Sequence, residues 1–280
     1  MSGITTMSGG TTPINYSSNT GGSPASFTKF FPSGGTFTVI TGSGAASVSG
    51  PVVYHSSNSA VTVTGASAVD DNTAGNNSIT AGSSMQVFAQ AGDTVSASAG
   101  STTLFGANSG VTTFSISAGN SWIGGGSGSI FGNSSGANST LIGGQATSFF
   151  NVTGASNTVI GGAAGNTFVN LSKATGPESI FTNPGTSQGN MYIAMGSGAE
   201  SFTGGGGNST VIGGTGNDVF GFINGHAGGS ETIYNFNSSD NLAFYGYTAP
   251  PTEQVVNGND VMTLSDNTKI TFVGIDHKIF

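Results

Sequence analysis

One carboxylate in this chain stands where a cation could sit. Asp218 follows Gly213, Gly214, Thr215, Gly216 and Asn217, and precedes Val219 and Phe220. This is one full copy of the nonapeptide Gly-Gly-x-Gly-x-Asp-x-(apolar)-x, which stacks into a calcium-binding β-roll. The chemistry is that of a hard ion. An aspartate and the carbonyls of a glycine-rich turn supply oxygens, of which Ca2+ takes about 6–8. Such copies normally run in series. Here the matching slot one coil upstream reads Ser209 in GGGGNSTVI (204–212). Further up it reads Asn166 in GGAAGNTFV (161–169) and Ser148 in GGQATSFF (143–150). Neutral side chains weaken a calcium site and suit hydrogen-bonded ladders instead.

Other chemistry is poorly supplied. Gly132-Asn133-Ser134-Ser135-Gly136 and Gly185-Thr186-Ser187-Gln188-Gly189 match the nucleophile-elbow pattern. Neither lies between a buried strand and a helix, as the elbow requires. No His-Glu-x-x-His zinc motif occurs. The histidines His55, His226 and His277 sit in polar or terminal stretches, where a surface role is expected. Asp70 and Asp71 are adjacent in what reads as a loop, whereas paired catalytic carboxylates come from different elements. The expectation is a chain without an active site.

The elements that must position Asp218 are short. Clusters such as SWIGG (121–125), TLIGG (140–144), SFFNV (148–152), TVIGG (158–162), TFVN (167–170) and TVIGG (210–214) repeat down the chain. Each puts two or three apolar residues behind Ser or Thr and ahead of a turn. The clusters at 140–144 and 158–162 start 18 residues apart, which allows two strands and two turns per coil. Strands this short make a shallow sandwich but a good β-solenoid of parallel ladders. Alternate side chains then point into a thin core. Glycine takes the corners, and no 3.6-residue period asks for a helix. The fold class expected is all-β: a parallel β-solenoid or β-roll with a small C-terminal β cap.

Composition agrees. Glycine fills 49 of 280 positions, far above the usual ~7%. Charged residues are 6%, the net charge is −8, and Lys29, Lys173, Lys269 and Lys278 are the whole basic complement. Nothing here could neutralise a row of phosphates, so nucleic acid is excluded as a partner. Cysteine is absent, so no disulfide or thiolate metal site is possible. No apolar run approaches the ~18 residues of a membrane span, and MSGITTMSGG lacks the apolar core of a signal peptide. Residues 1–25 read as a flexible leader, and 26–75 as an N-terminal β segment or cap. Residues 76–222 read as the solenoid of degenerate repeats, and 223–280 as the cap and secretion signal. Within the solenoid, 171–190 carries Lys173, Pro177, Glu178 and Pro184 and reads as enlarged loops. Ser265-Asp266-Asn267 marks a hairpin between two alternating stretches.

Residues 204–280 resemble the C-terminal part of the bacterial RTX, or hemolysin-type calcium-binding, proteins. The motifs are Gly213 to Phe220, then Glu231-Thr232-Ile233-Tyr234-Asn235-Phe236, then Asp240 before Leu242. Glu231 and Asn235 stand where the family pattern has Asp. The resemblance implies calcium as cofactor, held by Gly213, Gly214, Thr215, Gly216, Asp218, Glu231 and Asp240. The end of the chain, from Leu264 to Phe280, resembles an uncleaved type I secretion signal, which implies an extracellular location. The function expected is a secreted, non-catalytic structural protein: a self-assembling filament, surface-layer or biofilm-matrix subunit. Its main partner would be itself, with cell-surface or polysaccharide contact. The alternative is an RTX-type adhesin or a ligand- or ice-binding module. That module would use flat rows such as Thr140, Thr158 and Thr210.

Overall fold

The apolar clusters become strands of three to six residues, and the glycine-rich stretches between them become tight turns. The structure is a computed structural model. It describes residues 4–8, 36–40, 44–48, 52–54, 59–63, 67–71 and 76–280, except 184–188, 205 and 226–228. Among these there is no helix. The fold is all-β, with parallel stacked coils forming a β-solenoid, as expected. It divides into two compact units, Met1–Phe131 and Gly132–Phe280.

In the second unit each coil gives one strand to a front sheet and one to a back sheet. The front sheet stacks Thr140–Ile142, Thr158–Ile160, Ser179–Phe181, Ser201–Gly204, Val219–Ile223 and Asn241–Tyr245, all parallel. Thr140 pairs with Thr158, so the 18-residue repeat is indeed one coil. The back sheet stacks Ser148–Val152, Thr167–Asn170, Met191–Ala194, Ser209–Ile212 and Ser230–Tyr234 in the same way. Alternation puts one apolar column from each sheet inside. Leu141, Val159, Ile180, Phe202 and Phe220 are in register and fully buried. Phe150, Val169, Ile193, Val211 and Ile233 face them from the back sheet. At roughly 2 kcal/mol per buried side chain of this size, these columns supply most of the drive to stack.

The two sheets end differently. Among the described residues the front sheet stops at Asn241–Tyr245, which has a strand on one side only. The back sheet continues onto Lys269–Phe272, then turns antiparallel through Asn259–Thr263 to Thr252–Val256. The hairpin read from Ser265-Asp266-Asn267 is present. Leu264 and Thr268 close it, and Asn267 takes φ 69°. The parallel ladder itself runs past Phe222 to Tyr245.

The first unit follows the same plan. One sheet stacks Thr36–Ile40, Val52–Tyr54, Ser67–Asp71, Met85–Phe88, Thr102–Phe105 and Trp122–Gly124 in parallel. The other stacks Gly44–Val48, Ser59–Val63, Ser78–Ala81, Thr94–Ala97 and Val111–Ile116. Ile4–Ser8 adds to the first sheet antiparallel against Thr36–Ile40. The rest of the expected leader, residues 9–25, lies outside the described residues, as do His55, His226 and most of Gly185–Gly189. Asp70 and Asp71 end a strand rather than sit in a loop.

Candidate functional site

Asp218 is the last residue of its turn and comes directly before the front strand Val219–Ile223. The turn must lie flat on the turn below it, so its glycines are obligatory. A Cβ at Gly214 would run into the Gly196 carbonyl, and one at Gly216 into the Gly198 carbonyl. This close stacking turns the Asp218 side chain inward, where it is fully buried. Its two oxygens are already spoken for by amides. Oδ1 accepts from Glu200 N at 3.0 Å and Oδ2 from Gly214 N at 3.0 Å. The turn carbonyls are occupied as well. Asn235 Nδ2 donates to the Gly213 and Gly214 carbonyls at 2.9 and 3.0 Å. Thr215 N donates across to the Gly196 carbonyl at 3.0 Å.

A hard cation is poorly served by this donor set. It would meet N–H groups where it needs lone pairs. Asp240 is one coil away, and its Oδ1 accepts from Asp218 N at 3.0 Å. Its Oδ2 accepts from Asn237 N at 2.9 Å. Glu231 is elsewhere. It is the second residue of the back strand Ser230–Tyr234, at the opposite corner of the coil, where its carboxylate lies against Gly204. Of the three acids singled out in the sequence, the structure therefore joins two and separates the third. Among the described residues no group of three or more His, Asp or Glu is arranged to hold a metal.

The coil-to-coil equivalents of Asp218 differ from those expected. Ser209 and Ser148 precede or open back strands, at the other corner. The partner of Ser148 there is Thr167, one residue beyond Asn166. The true column ahead of the front strands reads Ser139, Asn157, Glu178, Glu200, Asp218, Asp240. Asn157, Glu178, Asp218 and Asp240 each accept an amide of the coil before. Asn157 Oδ1 takes Ser139 N at 2.8 Å, and Glu178 Oε2 takes Asn157 N at 2.7 Å. Glu200 Oε1 instead accepts Gly196 N of its own turn at 3.3 Å. The sequence reading of neutral coils upstream of Asp218 is thus overturned: two of them carry buried glutamates. Glu178, assigned to an enlarged loop, is 2% exposed, and Leu171 and Ala174 of the same stretch are buried. A usable signal existed. Every acid of the column stands immediately before a front-strand cluster: Glu178-Ser-Ile, Glu200-Ser-Phe, Asp218-Val-Phe, Asp240-Asn-Leu.

Three carboxyls of this column are pushed toward their protonated form. Burial raises Glu178 from 4.5 to about 7, against the opposing hydrogen bond from Asn157. Burial raises Glu200 to about 7 as well, helped by the Asp218 carboxyl beside it. Burial raises Asp240 too. Glu178 Oε1 and Glu200 Oε2 are buried and accept no hydrogen bond. At the opposite corner two coils use hydroxyls for the same job. Ser148 Oγ accepts Gly144 N at 2.9 Å, and Thr167 Oγ1 accepts Gly162 N at 2.9 Å.

The outer faces carry rows of another kind. On the back sheet Phe149, Phe168 and Tyr192 are in register, and the last two rings stack with centroids 4.9 Å apart. Beside them Asn133, Asn151 and Asn170 form an amide ladder with bonds of 3.0 and 3.1 Å. Thr140 and Thr158 do adjoin on the front sheet, but Thr210 lies on the back sheet between Tyr192 and Thr232. The expected threonine row is therefore not one surface. Ser134, centre of an elbow-like motif, is buried inside the coil. No family model matches the chain, and no curated protein matches it.

Proposed function

We propose that this chain is a secreted, non-catalytic structural protein that assembles with copies of itself into an extracellular filament, layer or matrix. The observation that carries this reading is the end of the front sheet, where Asn241–Tyr245 pairs with a strand on one side only among the described residues. A strand edge with no hydrogen-bonded neighbour is a template for another chain once it is accessible, and a head-to-tail contact of this kind builds open filaments. The amide-filled turn around Asp218 supports assembly without calcium. The resemblance to RTX proteins supplies the export route, a type I signal in the last residues, and makes the chain a degenerate member in which hydrogen bonds replace the ion.

Negative-stain electron microscopy of the purified protein, with calcium and with a chelator, tests the reading. Filaments or sheets are expected in both. Dispersed particles in both conditions would overturn it. They would favour a second reading, an adhesin whose ligand lies along the exposed Phe149 and Tyr192 on the back sheet. Assembly only with calcium would return the ion to the turn of Asp218.

A further inference from the structure

The segment 275–280 folds back over the end of the front sheet. The Phe280 ring meets Phe244 of the edge strand edge-on, with centroids 5.6 Å apart. Ile275, Lys278 and Ile279 line a groove of about 560 Å3 together with Asn241 and Leu242 of the same strand. One side chain holds this segment down. Glu253 Oε1 accepts Ile279 N at 2.7 Å and Phe280 N at 3.0 Å. Glu253 is not alone. Val255 pairs with Asp260, so Glu253 lies diagonally across from Asp260 on the same face of the hairpin. Asp260 is fully buried, with the Glu253 carboxyl and the Ile279 N–H beside it.

Two carboxyls in contact attract only if they share a proton. We propose that segment 275–280 is a strap over the edge strand Asn241–Tyr245, latched by a proton shared between Asp260 and Glu253 and released when that proton leaves. This rests on the assembly reading above, because the strap covers the edge through which copies would join. With the proton in place, Asp260 donates to Glu253, and the free lone pairs of Glu253 hold the two backbone amides. Once both carboxyls are ionised they repel, and the buried Asp260 charge draws water into the latch.

The other charges around the latch are few. Two groups of the strap, the Ile279 N–H and then the Lys278 ammonium, favour ionisation of Asp260, against burial and Glu253. Asp240 borders the groove from the coil side, beside His277. His277 meets Asp276 at 3.4 Å on the exposed surface. Burial, then the neighbouring Glu253 carboxyl, lifts Asp260 from 3.8 to about 6. The latch is accordingly strongest below about pH 6 and weakens above it.

Amide hydrogen exchange and light scattering on the full chain test this at pH 5 and pH 7.5. After correction for intrinsic rates, protection at Ile279 and Phe280 should fall at least tenfold between the two, while Val211 in the back sheet keeps its protection. Asp260→Asn should hold the strap at both pH values and slow assembly at both. Glu253→Ala should free it at both and speed assembly. Protection that is equal at the two pH values, or unchanged by Glu253→Ala, would overturn the strap. A strap that opens as described, with no assembly in any variant, would leave the latch standing and defeat the assembly reading instead.

Discussion

The two corners of each coil in the second unit face the same problem and solve it with different chemistry. At both, a glycine-rich turn points backbone amides inward, and a residue at the start of the next strand must accept them. The back corner uses the hydroxyls of Ser148 and Thr167 in its first two coils, and its column then runs through Met191 and Ser209 to one buried carboxyl, Glu231. The front corner moves from Ser139 and Asn157 to Glu178, Glu200, Asp218 and Asp240. A hydroxyl accepts one amide and carries no charge. A carboxyl reaches two amides at once, as Asp218 does, and so ties its own turn to the coil before. The gain comes with a proton linkage that the hydroxyl corner lacks.

That contrast sets the largest expected effect. Glu178 and Glu200 hold protons up to about pH 7 when folded and up to about 4.5 when unfolded. Between those values the folded chain binds more protons, so stability falls as pH rises. It is greatest below about pH 4.5 and levels off above about pH 7. The loss for the two glutamates together is on the order of 5 kcal/mol. Denaturant unfolding across this range should show the decline, and Glu178→Gln with Glu200→Gln should flatten it. A level profile in the unmodified protein would erase the distinction between the corners.

Asp218→Ala comes next. It strands the buried amides of Glu200 and Gly214, at about 1–3 kcal/mol each, so a loss near 4 kcal/mol is expected in the same measurement. Thr167→Val should be the smallest. Only Gly162 N loses its acceptor, for about 1–3 kcal/mol, and the loss should be equal at pH 5 and pH 8. A pH-dependent loss there would mean that the hydroxyl corner is coupled to the acid column after all.

The coil itself was legible because short apolar clusters and glycine turns recur where a two-strand coil needs them. The 18-residue step from Thr140 to Thr158 is one turn of the solenoid in both sequence and space. The acid column was not legible from spacing. Its steps are 21, 18 and 22 residues between bonded members, because each coil makes its excursions at different places. Counting back from Asp218 by turn motif therefore lands on the wrong corner, at Ser209 rather than Glu200. The sequence cannot say which of two alternating turns a glycine pair belongs to until the strands are assigned to faces. Asn235 is the reverse case. Its departure from an expected Asp was visible, but its consequence, an amide donated to the Gly213 and Gly214 carbonyls, is a matter of geometry.

The bare contact of turn upon turn at Gly214 and Gly216 also constrains how such a chain can change over generations. No side chain of any size fits between those glycines and the carbonyls beneath them. Point replacement at the stacked corners is therefore closed, whatever the surrounding residues do. A whole additional coil, by contrast, brings its own turn, its own inward acceptor and its own apolar pair, and meets every local demand at once. Drift in this architecture should proceed by gaining or losing entire coils and by lengthening the outward excursions between strands. The number of coils becomes the variable trait, while the glycine pairs at the corners stay fixed.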